Sequence, residues 1–440
     1  MTVSTAPPPL LAPGEPGWDE ARTAWNLAID QQPAAIALPR SANEVAAAVR
    51  TARERGLPVM VQGTGHGAGP VRPDGAMLIR TGALTDIRID ASARRAHLGA
   101  GVPWGLVAGP AAEHGLAGSA GSSPSVGVVG YLLGGGHGWL SGRHGLAPND
   151  LVAAEVVTGA GDIVRLDDDS DPEAMWALRG GGGAFAAVTA VEVGLHEVSQ
   201  VAGGGLMWPI ERAGEILEAW RTWSAAVPEG VMTLGRILRF PPIEPVPPPV
   251  RGRSFVIVEA ADVDGIERLN ELLAPLRELG PELDMIRPMP ATELSQIHMD
   301  PPEPVPASGT GMLLSSLEGD TVAAAVAAVA EGPGEALIGI EIRRLGGAVA
   351  RSRRPGVRTA VDEAAAVFAV GVAASPDLAA ATGAGLAAVR EGLAPWRSPL
   401  GIMNLAEADA VTAVFSADEL ARLGAVADRL DPDGAFLRRR

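Results

Sequence analysis

The chain of 440 residues contains no cysteine, which removes disulfides, thiolate nucleophiles and thiolate metal sites together. Lysine is missing as well. All 35 basic residues are arginine, so a Schiff base and a P-loop lysine are both excluded. Positive charge is scarce overall: 35 basic against 52 acidic side chains leave −17, and that balance argues against a nucleic-acid partner held through its phosphates. No apolar stretch long enough for a bilayer escapes a charge, Gly or Pro break, and Met1 to Glu20 has neither a basic start nor an apolar centre. These absences predict a soluble, cytoplasmic protein with no membrane partner. No HExxH and no carboxylate cluster points to a metal. Aromatic residues are few, with 1 Tyr, 6 Phe and 9 Trp, which weighs slightly against an aromatic-caged substrate.

What is present divides into two grammars. Ser41-Ala-Asn-Glu44 has capping-box spacing, and Val45, Ala48, Val49 and Ala52 follow at helical intervals, so a helix over residues 41–56 is expected. A short apolar strand then runs from Leu57 into the glycine loop that begins at Gly63. Short strands near 76–80, 86–90 and 95–102, a helix over 103–114 and a hairpin over 151–166 complete this part. From Gly118 to Gly145 glycine is too dense for an ordinary helix and the segment too apolar for a disordered linker. Beyond residue 200, strands at 231–240, 254–260, 312–317, 336–344 and 366–374 alternate with amphipathic helices, one of them kinked at Pro275. Strands covered by helices in this order predict α+β architecture with a mainly antiparallel sheet.

Gly63-x-Gly65-x-x-Ala68 matches the dinucleotide fingerprint in form only. Gly69, Pro70 and Pro73 forbid the helix which that motif requires. Glycines that merely permit tight turns would explain any one such loop. Several glycine-dense loops in one region, the run at Gly180 included, suit instead a long phosphate-bearing cofactor, because exposed N–H groups bind phosphate without lysine.

Five segments stand in a recognisable order: VQGTGHGAG at Val61–Gly69, AGVPWG at Ala100–Gly105, VGVVGYLLGGGHGWL at Val126–Leu140, WALRGGGGAF at Trp176–Phe185 and DPDGAF at Asp431–Phe436. Together they resemble the berberine bridge enzyme-like flavin oxidases of the vanillyl-alcohol oxidase and p-cresol methylhydroxylase (PCMH) superfamily, over nearly the whole chain. The resemblance implies a two-subdomain PCMH-type FAD-binding domain over residues 1–200, an α+β substrate domain over 201–398 and a C-terminal segment, 399–440, that returns to the FAD domain.

The same resemblance assigns residues. His66 stands where the family attaches FAD through its 8α-methyl; a histidine in a glycine loop, taken alone, carries no such role. Gly63, Thr64, Gly65 and Gly67, with Gly121, Ser122, Ser123, Val126, Gly127 and Gly130, would line the cofactor. Ser123 replaces the cysteine through which many relatives form a second bond, which implies a single covalent link. Val126 stands at a position that gates oxygen, and is equally good as a core residue. Tyr131 is either a hydrogen-bond donor at the flavin edge or a packed core tyrosine. Asn404 resembles an asparagine that returns to the flavin, and Ala184 replaces the family's usual asparagine.

For the proton acceptor, alternation in Ile338-Gly-Ile-Glu-Ile-Arg343 places Glu341 and Arg343 on one strand face. Glu341 is the candidate base, its pKa raised if buried, with Arg343 orienting it or an anionic substrate; a surface ion-paired strand fits the pattern as well. His298 is a second base candidate or part of a pocket-shaping loop. Arg351, Arg353, Arg354 and Arg358 read as a solvated face. The resulting expectation is an FAD-dependent oxidase, a monomer or homodimer, that passes hydride from a small-molecule alcohol, sugar or secondary-metabolite C–H to flavin and is reoxidised by O2 to give H2O2. An FAD-dependent dehydrogenase or oxidative cyclase on the same scaffold, and a non-catalytic flavin or small-molecule binding protein, are the alternatives.

Overall fold

The computed structural model describes residues 8–407 and 414–438. Among the described residues, its amino-terminal part holds two larger sheets and one two-stranded pair, Leu116–Ala117 with His196–Glu197. The first orders Leu10–Leu11, Ala35–Ala37, Met77–Arg80 and Val59–Gln62, with the last three strands parallel. Parallel neighbours need a crossover, and helix Ala42–Glu54 supplies one between Ala35–Ala37 and Val59–Gln62. Ser41 caps that helix by accepting from the Glu44 N–H at 3.3 Å. The second sheet is antiparallel, in the order Ile87–Asp90, Arg95–Gly99, Ala187–Gly194, Leu151–Val157 and Ile163–Asp167. Its inward residues share one core with helix Ala42–Glu54 and with Val426, Ala427 and Leu430 of the late helix Ala417–Leu430. The chain end then joins the first sheet, since Val59 N–H donates to Ala435 O and Leu437 N–H to Val59 O.

The Gly118–Gly145 stretch departs from the sequence expectation by forming two short helices, Val128–Leu133 and Ser141–His144. Burial outweighs the weak helix propensity of glycine here: Val128, Val129, Tyr131, Leu132 and Leu133 all face the core.

The remaining strands make one large antiparallel sheet. Its order is Leu283–Asp284, Gln200–Pro209, Ser254–Asp262, Met232–Arg239, Leu337–Arg344, Ala365–Val372 and Ala307–Leu314. Strand Gln200–Pro209 and helix Ala213–Ser224 were not anticipated, the first because Gly203, Gly204 and Gly205 disguise its pattern. One face of the sheet carries Ile237, Val256, Val258, Ile340 and Ile342, and packs under helices Ala213–Ser224, Ile266–Arg277, Gly319–Ala330 and Pro376–Gly392. Period-two alternation therefore forces the intervening residues, Arg236, Glu259, Glu341 and Arg343, onto the other face. That face meets Trp139 and Leu140 of the glycine-rich segment through Met232, Leu234 and Ala261.

Candidate active site

Two glycine turns meet beside His66. Gly65 has φ +86°, and a β-carbon there would lie 2.9 Å from the Ala24 side chain, so glycine is the residue that lets the turn close. The turn presents the His66 ring between Thr64 Oγ1, 2.9 Å from Nδ1, and Ser125 Oγ, 3.2 Å from Nε2. Trp25 stacks on the ring at 4.1 Å. Burial lowers the imidazole pKa to about 4, so the ring is neutral at physiological pH and one nitrogen keeps a lone pair. Ser123 Oγ lies 3.0 Å from Ser125 Oγ, so Ser125 and not Ser123 is the serine against His66.

The turns leave donors and space that the protein itself does not use. Among the described residues, the backbone N–H groups of Thr64, Gly65, His66 and Gly67 and of Gly121, Ser122, Ser123 and Ser125 make no hydrogen bond. At Gly67 and Gly130 a β-carbon would meet nothing within 4 Å. Gly130 sits inside a helix, where glycine costs about 0.5–1 kcal/mol against alanine, and no protein contact explains it. The Tyr131 hydroxyl and both His137 ring nitrogens are buried without a partner among the described residues. Burial raises the Tyr131 pKa and lowers that of His137 to about 3, so both side chains are neutral. Buried polar atoms of this kind call for a partner. A large, phosphate-bearing, hydrogen-bonding cofactor fits all of these observations.

Tyr131 is nevertheless also a core residue, edge-on to Trp104, and Gly121 and Gly136 are small because its ring lies against them, while Gly138 abuts Ala120 O and the Tyr131 hydroxyl. Asn404 returns to the same helix, donating from Nδ2 to Tyr131 O at 2.9 Å while its own N–H donates to Gly134 O. Val126 is half-buried against the main core. The run after Arg179 does not share the open character of the first two turns: Gly180 abuts Arg358, Gly181 abuts Ala177 O, and Gly183 abuts Leu133. Its glycines answer to packing.

The polar face of the large sheet gathers the candidate acid–base residues. Glu341 lies opposite Arg236 in register, and Glu259 lies opposite Leu234 on the next strand. Loop residue His298 inserts between the carboxylates, with Nδ1 2.7 Å from Glu259 Oε2 and Nε2 2.8 Å from Glu341 Oε2. Arg343 bonds the other Glu341 oxygen at 2.8 Å, and Arg236 forms an ion pair with Glu259 at 2.5 Å. Glu341 is 5% exposed, which rules out a surface ion pair. Its pKa, expected to rise on burial, is instead lowered. Burial alone would raise it, but Arg343 and then His298 outweigh that penalty. His298 moves the other way: burial and Arg236 push it down, while Glu259, Asp300 and Glu341 prevail and hold it at about 9. Glu259 and Arg236 escaped the sequence reading; the available signal was a lone charge inside each of two otherwise apolar strands.

One hydrogen bond ties the two halves of the site together, from Ser122 Oγ in the glycine turn to Asp300 Oδ2 beside His298, at 2.8 Å. Arg343 also donates to His137 O at 3.4 Å. The arginine group at 351–358 is solvated in part, with Arg351 and Arg353 exposed and Arg354 half-buried, and Arg358 departs from that expectation. Arg358 is 4% exposed, bonded to Gly401 O and Glu419, while Arg353 bonds Asp150 and Arg354 bonds Asp168. A cavity of about 740 Å³ opens away from this site, along Arg94, Arg143, His144, His196 and Arg353. Glu197, Asp264 and Asp150 compensate its arginines, and it touches neither His66 nor Glu341.

Comparison with known proteins agrees with this geometry. Residues 33–167 match the FAD binding domain family. The chain is 35% identical to (R)-6-hydroxynicotine oxidase of Paenarthrobacter nicotinovorans over 51% of its own length and 46% of that protein's. It is 36% identical to glucooligosaccharide oxidase of Sarocladium strictum over 42% and 38% respectively, so it spans about half or less of the length of these relatives. The fold extends further: Physcomitrella patens BBE-like 1 superposes with a TM-score of 0.85 at 17% identity, covering 98% of this chain and 96% of that one. Residues 33–167 thus match an FAD binding domain, in a chain whose fold is that of Physcomitrella patens BBE-like 1.

Proposed function

We propose that the protein is an FAD-dependent oxidase that removes a hydride from a C–H bond of a small-molecule alcohol, sugar or secondary metabolite. When bound, FAD supplies a two-electron acceptor that dioxygen regenerates with formation of hydrogen peroxide. The observation that carries this reading is the Ser122–Asp300 hydrogen bond, because it joins the turn with unused N–H donors to the loop bearing the buried acid–base pair.

His66 is the proposed point of covalent 8α attachment, and its neutral ring is the form able to bond carbon. Serine at position 123 leaves that link single. Gly63, Thr64, Gly65 and Gly67, with Gly121, Ser122, Val126, Gly127 and Gly130, would hold the cofactor through backbone and space, with Tyr131 and Asn404 beside it. Glu341, fixed by Arg343 on one oxygen and His298 on the other, takes the proton of the substrate O–H or N–H. The named activities of the two relatives, oxidation of a hydroxynicotine and of a glucooligosaccharide, support an oxidase and leave both substrate classes open.

The test begins with the visible spectrum of the purified chain. A yellow chromophore that stays with acid-precipitated protein and is lost in His66→Ala supports the reading, as does peroxide release with a member of a panel of sugars, alcohols and cyclic amines. A colourless protein that takes up no added FAD refutes it.

A further inference from the structure

We propose that Glu259, backed by Arg236, is a positioning residue that fixes the His298 ring, so that the proton acceptor is a His298–Glu341 pair sharing one proton and not a lone carboxylate. The proposal rests on the oxidase reading above. Glu259 has no solvent exposure, and a carboxylate at the centre of a sheet is costly unless fully paired. Its Oε2 meets His298 Nδ1, and its Oε1, which has no hydrogen bond among the described residues, is offset by ion pairing with Arg236. Arg236 then reaches past Glu259 to the same histidine, donating to His298 O at 2.9 Å and lying 3.2 Å from Nε2. A salt bridge that served stability alone would not need to grip both the backbone and the ring of a loop residue.

The contacts at Nε2 define two states. Arginine can only donate, so its contact at 3.2 Å is a hydrogen bond when Nε2 carries a lone pair; the Glu341 contact at 2.8 Å then requires a proton on the carboxyl. In the alternative state the proton is on Nε2 and Glu341 is a carboxylate, still held by Arg343. The Nδ1–H bond to Glu259 is common to both, so one proton can shift without the ring moving. In the reaction the substrate X–H bond breaks and its proton goes to this pair, which passes from one shared proton to two, one on His298 Nε2 and one on the Glu341 carboxyl. The C–H hydrogen leaves with its electron pair to the cofactor, and the C–X bond becomes double. Besides Glu259, Arg236 and Glu341 from three strands, His298 faces Asp300 of its own loop at 3.9 Å and the Trp139 ring at 6.3 Å.

The experiment is an NMR titration of ring-labelled histidines in the full chain, with His298 assigned by its loss in His298→Asn. Wild-type His298 stays protonated through neutral pH and titrates near 9. Glu259→Gln lowers that titration by roughly one pH unit or more, and the alkaline limb of the pH–kcat profile moves with it, while Glu259→Asp restores part of the shift. A His298 titration unchanged in folded Glu259→Gln overturns the proposal. Should that variant not fold, the wild-type spectrum decides: a far-downfield Nδ1 proton persisting above neutral pH is expected, and its absence overturns the proposal equally. The ring titration needs no turnover, so a protein that oxidises nothing defeats the oxidase reading while this measurement is read separately.

Discussion

His298 Nε2 lies 2.8 Å from a carboxylate oxygen of Glu341, and each side chain is less than a tenth exposed. A loop residue and a mid-strand residue more than forty positions apart therefore act as one titrating unit, flanked by Arg343 on one side and Glu259 on the other.

Removing the acceptor tests the unit directly. Glu341→Gln keeps the shape but has one acceptor oxygen in place of two and cannot take a proton, so kcat falls by about 10²- to 10⁴-fold with KM changed far less. Steady-state peroxide release measures it, and an unchanged kcat would remove Glu341 from the reaction.

The pair also makes stability depend on pH from both sides. His298 has a folded pKa raised to about 9, so its contribution is complete below the ordinary histidine value of about 6.5 and is lost as pH rises through about 9. Glu341 is depressed, so its contribution is complete above the ordinary carboxylate range and is lost as pH falls below it. Thermal unfolding followed from pH 7 to 10 shows a falling Tm in the wild type and a flatter alkaline limb in His298→Asn. Parallel curves would contradict the assignment.

Gly130→Ala separates folding from cofactor retention. A helical glycine with open space around it gains about 0.5–1 kcal/mol on replacement by alanine, so the cofactor-free protein becomes more stable. If the space belongs to FAD, the same variant retains less flavin after purification. Full flavin content, read from the ratio of visible to ultraviolet absorbance, would show that Gly130 does not face the cofactor.

Arg358→Met is expected to destabilise by about 3 kcal/mol, because it leaves Glu419 and the Gly401 and Val357 carbonyls without their shared buried donor. Denaturant titration with an unchanged slope checks this. A neutral result would return Arg358 to the surface role its sequence context suggests.

Much of the site was legible because its parts are local. The turn at Gly65 and the alternation that puts Glu341 with Arg343 follow from glycine stereochemistry and strand periodicity alone, whereas the short helix that holds Gly130 went against the local glycine density. The acid–base unit was legible only in part. Glu341 and His298 stood out singly, but Glu259 and Arg236 lie in strands whose apolar character hid them, and nothing local relates any of the four to a neighbour. The pKa of Glu341 was read with the wrong sign for the same reason: burial can be inferred from a strand pattern, whereas Arg343 and His298 as facing charges require the packed loop and sheet.

The sequence by itself determined the chemistry that is possible. Without cysteine or lysine, thiolate and Schiff-base routes are closed, and glycine turns offer backbone N–H groups to a phosphate-bearing cofactor. Only the tertiary structure decided which polar residues face one another. Sheet register and the Ser122–Asp300 contact bring together residues more than a hundred positions apart, and electrostatic interactions between buried groups depend on distance in space, not on sequence separation.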